Sequence, residues 1–333
     1  MGAGGDRISR PRRSGGGRLW AILLAGGEGK RLAPVTRAVY GWDVPKQFAA
    51  PGGDRTFLQE TMDRISRLVP RERTVVAVSR AHRLLAARQL ADYPGTRLVL
   101  QPTNTGTTAG VLLPLAHILF EDPRAVVVVF PCDHRFRREA VFLAAVRRAV
   151  AVARRARGGI VLVGAVPDIA LPDLGWILPA RPGRRGAVPI KRFVEKPAAG
   201  TWALLRQGGL WNTMVMAARG RSLWNAVLRH APAVAEPLAR YAEAIGTPRA
   251  DEVLGEIYLR QPRSDLSEDV MQVARGLRVV PMTDSGWSDC GTPEGLFRSL
   301  SPAGVQRLRR ACRERHEDAP HVERRSRAPA VAP

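Results

Sequence analysis

The sequence predicts an α/β protein organised on a mostly parallel central sheet. Three observations carry this. Residues 19–25 are apolar throughout and end in glycines, the pattern of a strand buried on both faces. β-rich runs then alternate with segments of helical spacing as far as residue 130, the rhythm of βαβ units. Three strand ends are also unusually polar: residues 26–29, residues 101–107, and Asp133-His134. In a parallel sheet these would converge on the carboxyl edge, where ligands bind.

The elements follow in order. Residues 1–18 are Gly, Ser, Arg and Pro with almost nothing apolar, and are expected to be disordered. The first strand runs into Gly26-Gly27-Glu28-Gly29 and then Lys30-Arg31-Leu32. Glycines here let backbone N–H groups approach an anion without Cβ interference, and Arg31 can fork onto phosphate oxygens. An ordinary strand-to-helix turn could use the same residues. Two familiar phosphate loops are excluded: a dinucleotide fingerprint needs a third glycine where Leu32 stands, and a P-loop needs Ser or Thr where Arg31 stands.

Val44-Pro45-Lys46-Gln47-Phe48 is expected to fold back over the first strand. Residues 57–68 and 82–90 have helical spacing and flank a β-rich run at 74–79. Residues 97–100 read as a short strand that opens into Gln101-Pro102-Thr103-Asn104-Thr105-Gly106-Thr107. A helix to Phe120 and a nearly all-valine strand, 125–130, come next. Downstream the pattern gives a helix at 141–154, a strand at 159–166, extended pieces at 175–177 and 190–194, and a short helix at 201–206. A strand at 210–216 contains Trp211-Asn212, helices fill 219–260, and a strand occupies 277–282. Thr292-Pro293 supplies an N-cap and a first-turn proline for a helix to about residue 300. The folded domain is expected to span 19–300, with 301–333 a basic tail that frays from helix into disorder.

Composition narrows the function. The formal charge is +22. The two tails, 1–18 and 301–333, each contribute a net +4, leaving +14 on the remainder. No aromatic-interleaved basic stripe or helix-turn-helix signal accompanies it, so no nucleic-acid partner is expected; a positive surface also attracts nucleotides and sugar phosphates. No apolar run reaches membrane-spanning length, and the N-terminus lacks an apolar signal core, so a cytoplasmic protein with no membrane partner is expected. Cys132, Cys290 and Cys312 lack the paired short spacing of a zinc site or disulfide framework.

Of 52 basic residues only Lys30, Lys46, Lys191 and Lys196 are lysines. In a chain that writes positive charge as arginine, a retained lysine suggests a compact ammonium is wanted; Lys191 reads as chance survival. Asp133 directly follows a buried strand and can reach over the glycine loop. Asp289 lies far away in sequence, in a Gly/Trp/Ser/Cys-rich turn. Two such carboxylates could share one Mg²⁺, with phosphates and waters filling its octahedron. His134 reads as a structural hydrogen-bonding residue rather than a base.

The segments LAGGEGKRL, VPKQF, QPTNTG, FPCDH, the glycine before Trp176, FVEKP, LWNTMV and WSDCGTPEGL occur in this order. Each is weak alone. Together, over about residues 19–300, they resemble the sugar-phosphate nucleotidylyltransferases, and the Pro-Lys-Gln-Phe and Asp-His variants are most similar to the mannose-1-phosphate guanylyltransferases. Longer members of that family add a C-terminal β-rich isomerase domain, of which these residues show no sign. The resemblance implies a Rossmann-like three-layer nucleotidyltransferase fold. It also implies transfer of a nucleotidyl group from an NTP, expected to be GTP, to a hexose 1-phosphate, expected to be mannose 1-phosphate, with Mg²⁺ as cofactor. A homodimer is compatible with it.

By the same resemblance, Ala25, Gly26, Gly27, Gly29 and Arg31 hold NTP phosphates, and Gln101, Asn104, Gly106 and Thr107 contact the base. Lys46 lies over the reacting phosphates, and Asp133 with Asp289 forms the metal pair. Gly175, Glu195, Lys196 and Asn212 form the sugar-phosphate pocket. Three departures fall in the sugar half: Ser267 stands where the family pattern has an acid, Thr213 where it has Ser, and Trp211 precedes the Asn. Other NTP and sugar pairs, and a regulator that binds nucleotide sugar without turnover, remain open alternatives.

Overall fold

The computed structural model describes residues 17–155, 159–182 and 186–317. The disorder expected of the N-terminal tail therefore falls, up to residue 16, outside the described residues. The strands are β1 (Leu19–Leu24), β2 (Thr74–Ser79), β3 (Arg97–Gln101), β4 (Val126–Pro131), β5 (Arg135–Phe136), β6 (Val161–Ala165), β7 (Trp176–Pro179), β8 (Val188–Val194), β9 (Leu210–Arg219), β10 (Arg278–Met282) and β11 (Trp287–Ser288). The helices are α1 (Ala33–Tyr40), α2 (Phe57–Ile65), α3 (Arg83–Gln89), α4 (Thr107–Glu121), α5 (Glu139–Arg155), α6 (Thr201–Arg206), α7 (Gly220–His230), α8 (Pro232–Ala244), α9 (Ala250–Arg260), α10 (Pro293–Ser299) and α11 (Pro302–Glu317).

Nine strands form one sheet in the order β3-β2-β1-β4-β9-β6-β10-β8-β7. The α/β class holds, but the mostly parallel sheet does not. Only β3, β2, β1 and β4, together with the β6–β10 pair, run parallel. β9 is inserted antiparallel between β4 and β6, and β7 and β8 pair antiparallel at the far edge. Direction was invisible in the sequence because a strand buried on both faces is apolar throughout whichever way its neighbours run. The parallel half is the half that carries the glycine loop, so the convergence of its strand ends survives the correction.

Apolar clusters cover both faces. One lies under α4, α7, α8 and α9, and the other under α2 and α5. α4 is apolar around its whole circumference because it is sandwiched between the sheet and the outer helices α7 and α8. No helix among the described residues is long and apolar enough to cross a membrane.

The expected boundary at residue 300 is overrun. α11 packs along α1, and its Leu308 is buried with Leu32, Phe57, Cys290 and Leu296 in a third small cluster. The arginine density that suggested a solvated tail lies on the outer face of this amphipathic helix, while Val305, Leu308 and Cys312 face inward at helical spacing. Residues 318–333 lie outside the described residues.

Candidate active site

The glycine loop leaves β1 at its carboxyl end and is held from beneath. The buried Gln47 amide donates to the carbonyls of Ala25 (2.8 Å) and Gly27 (2.7 Å), stapling the loop to the Val-Pro-Lys-Gln-Phe segment. Gly29 has φ +66°, and a Cβ there would lie 2.5 Å from the backbone nitrogen of Lys46. Left-handed backbone and close approach both require glycine at that position. Gly26 sits against the Gln101 side chain, whereas the space at Gly27 is open for a ligand.

Gly26, Gly27, Gln101, Asn104, Gly106 and Thr107 line one cavity of about 370 Å³, joined by Arg263 and the acids Asp265, Glu268 and Asp269. The far wall is anchored through Ser264. Its backbone N–H donates to the Thr105 carbonyl (3.0 Å), and its hydroxyl donates to Thr108 Oγ1 (2.8 Å). Gly106, at φ +103°, lies so close to Ser264 that a Cβ would sit 2.1 Å from its carbonyl oxygen. Asn104 Oδ1 accepts from the Gly106 N–H and Thr107 Oγ1 from the Leu266 N–H, so these two groups shape the wall.

Beside this cavity the Lys46 ammonium pairs with the Asp133 carboxylate, both largely removed from water. Burial works against the charged lysine, but Asp133 and, more weakly, Asp289 outweigh it and raise its pKa above the usual value. Burial likewise opposes ionisation of Asp133; Lys46 and His134 outweigh it and hold the carboxyl below the usual carboxylate range.

Asp289 reaches this spot through a feature the sequence did not disclose. β5 and β11 pair as a two-stranded antiparallel ribbon, Ser288 opposite Arg135, which draws the 287–292 turn onto the end of β4. The Trp287 indole donates to His134 Nδ1 (3.1 Å), tying the two acid-bearing loops together. Burial lowers the pKa of His134 despite Asp133 and Asp289, so the ring is neutral near pH 7. With Nδ1 accepting, its proton sits on Nε2, 3.8 Å from Asp133 Oδ1, and the expected structural role holds. A Cβ on Gly291 would lie 2.6 Å from Asp289 Oδ2 and 3.1 Å from an Arg31 guanidinium nitrogen, so this glycine leaves room for the acid and the arginine side by side.

The expected sugar residues form a second group. A Cβ on Gly175 would lie 2.5 Å from Glu195 Oε2 and 3.2 Å from Asn212 Cβ, so the three are mutual neighbours. Glu195 Oε2 is buried without a hydrogen-bond partner. Burial pushes the Glu195 pKa up against the pull of Lys196, and Asp265 and Glu268 push the same way. These two acids also line the nucleotide-sized cavity, so they stand between the two groups of residues. Lys196, at φ +38°, extends an exposed side chain whose Nζ is 3.5 Å from Glu195 Oε1.

Two of the three departures are structural. Ser267 is buried and accepts from Asn212 Nδ2 (3.3 Å), holding that amide in place. Thr213 is buried and spends its hydroxyl on the Val163 carbonyl (2.6 Å). Sequence reasoning missed Gln47, Ser264 and the Trp287–His134 link. Gln47 left a signal, a lone amide inside an apolar-flanked motif; the other two depend on long-range contacts.

A family profile described as "Nucleotidyl transferase" matches residues 20–302. A curated relative from Escherichia coli, "Mannose-1-phosphate guanylyltransferase", is 30% identical over 84% of this chain and 59% of its own length. "Xanthan biosynthesis protein XanB" of Xanthomonas campestris is 30% identical over 83% of this chain and 58% of its own. The chain thus spans under two thirds of these relatives. A solved structure titled mannose-1-phosphate geranyltransferase, from Thermus thermophilus, is 32% identical with a TM-score of 0.73, covering 85% of this chain and 80% of that one.

Proposed function

The chain belongs to the nucleotidyl transferase family, and from that premise we propose that it transfers GMP from GTP to mannose 1-phosphate, releasing pyrophosphate. The observation that carries this reading is the position of the Lys46–Asp133 pair beside the glycine-loop cavity, with Asp289 and Arg31 drawn to the same place. The guanylyl and mannosyl assignments rest on the names of the relatives in Escherichia coli and Thermus thermophilus. The unpartnered buried oxygen of Glu195 supports an acceptor bearing hydroxyls, because a buried carboxylate oxygen without a donor is costly until a ligand supplies one.

The reaction needs no protein nucleophile. A sugar 1-phosphate carries an anionic oxygen that can attack the α-phosphorus of the NTP in line, with pyrophosphate leaving as the new P–O bond forms. What the chain must supply is positioning and neutralisation of charge. In this reading the N–H groups around Gly26 and Gly27 cradle phosphate, Arg31 forks onto the departing phosphates, and Lys46 holds its charge over the reacting centre. Gln101 and the wall around Gly106 hold the base, while Glu195 and Asn212 orient the sugar hydroxyls and Lys196 meets the acceptor phosphate.

The donor set fits Mg²⁺. Asp133 already takes a cation, the Lys46 ammonium, and no third His, Cys, Asp or Glu joins Asp133 and Asp289 among the described residues. Two hard carboxylates completed by phosphates and water suit this ion. Bound there, it would neutralise phosphate charge and favour displacement at phosphorus. A pyrophosphate-release screen of four NTPs against a panel of hexose 1-phosphates, with and without Mg²⁺, tests the whole reading. GTP with mannose 1-phosphate is the expected pair; no release with any pair would leave a non-catalytic binder.

A further inference from the structure

We propose that a cavity at the opposite end of the sheet binds the phosphate chain of a small polyanion. It measures about 630 Å³, and Arg124, Arg154, Arg219, Arg221 and Ser222 line it. The fold brings them together at one edge. Val126 opens β4 beside Leu19 of β1, and Arg219 closes β9 directly opposite Val126. Arg154 comes from the last turn of α5, and Arg221 and Ser222 from the first turn of α7. The glycine loop lies at the other end of β1, roughly 20 Å away at the rise of a β-strand, so this is a separate site.

Charge is the argument. Elsewhere in the chain exposed arginines meet carboxylates, as in Arg37–Asp43, Arg55–Asp63 and Arg249–Glu252. The four arginines here pair with no carboxylate, and no acidic side chain lines the cavity, among the described residues. Two of them are fixed by the backbone: Arg219 donates to the Arg154 carbonyl (2.5 Å) and Arg221 Nε to the Pro123 carbonyl (3.2 Å). Guanidinium groups held around a common space repel one another until an anion enters, and their forked donors match phosphate oxygens. No aromatic ring lines the cavity to stack a base. The recognised chemistry is therefore the phosphate chain, whether free or carried by a nucleotide.

The test is calorimetric titration of the full chain with inorganic tripolyphosphate in metal-free buffer. Wild type is expected to bind one equivalent more than the variant Arg124→Ser/Arg219→Ser/Arg221→Ser, with that equivalent weakened about tenfold or more and weakened further by salt. Because the comparison counts this equivalent alone, it stands whether or not the glycine loop binds NTP. Without ligand the variant should melt no lower than wild type, since removing mutual repulsion does not cost stability. A control, Arg88→Ser/Arg206→Ser/Arg240→Ser, removes the same charge at exposed positions elsewhere and should keep the equivalent.

Pyrophosphate and GDP distinguish the sources, and both should lose one equivalent in the triple variant. Equal loss in the control would overturn the proposal, as would unchanged binding in the variant or loss confined to GDP. Displacement of tripolyphosphate by a single-stranded oligonucleotide bound more tightly through these arginines would overturn it as well.

Discussion

Leu308→Ala tests whether α11 is part of the catalytic apparatus. Leu308 is only 3% exposed and is the residue through which α11 enters the cluster of Leu32, Phe57, Cys290 and Leu296. Two of those neighbours are adjacent in sequence to proposed site residues: Leu32 follows Arg31, and Cys290, at φ +46°, follows Asp289. Leu→Ala in a well-packed core costs about 2–5 kcal/mol. This cluster is small and lies near the surface, where neighbours can relax into the gap, so the lower end, about 2–3 kcal/mol, applies here. A loss of that size released as local detachment of α11 would leave Arg31 and Asp289 without a packed backing. The expected result is a lower melting temperature together with a fall of roughly tenfold in kcat, measured by pyrophosphate release, while Leu308→Met keeps both near wild type. Should Leu308→Ala melt early yet turn over normally, α11 is structural only, and the link to the site is wrong. A variant with unchanged melting would refute the packing itself.

Other perturbations read other parts of the site. Gln47→Leu removes both donors that staple the glycine loop, costs about 1–3 kcal/mol for the carbonyls left without their amide, and should raise KM for the NTP more than KM for the sugar phosphate. Gly291→Ala forces a Cβ into contact with the Asp289 carboxylate, so turnover should fall steeply while melting shifts little; retained turnover would remove Asp289 from the reaction. Asp133→Asn should abolish nucleotide-sugar formation. The Asp133 carboxyl titrates below its unfolded value, so the stability it contributes is present above roughly pH 4 and is lost as pH falls through its folded pKa. The melting difference between wild type and Asp133→Asn should therefore be flat near neutrality and shrink in acid. Glu195 has the opposite sign: its raised pKa makes the ionised form a cost, so Glu195→Gln should stabilise the ligand-free protein above roughly pH 4 and less so below it, and a pH-independent difference would contradict its burial.

How much of this was legible in the sequence follows from the range over which each feature is encoded. The glycine loop, the Gln101–Thr107 wall and the Asp133 strand end are local, each a few residues whose chemistry shows in their order, and the structure brings them to one edge. Strand direction was hidden because β9 carries the same apolar signature as a parallel strand would. The tail was misjudged for a related reason: counting arginines over residues 301–333 averaged away the spacing of Val305, Leu308 and Cys312. The approach of Asp289 to Asp133 is the most instructive case. Neither residue's neighbours announce it, since it depends on a two-residue ribbon, Trp287–Ser288 against Arg135–Phe136, too short to register as a strand. The ribbon lies between two carboxylates that would repel each other unaided. The Trp287–His134 hydrogen bond, the Lys46 ammonium and the Arg31 guanidinium beside Gly291 offset that repulsion before any metal or substrate arrives. A site assembled this way is preorganised by contacts among residues more than 150 positions apart, and such contacts are legible only in the fold.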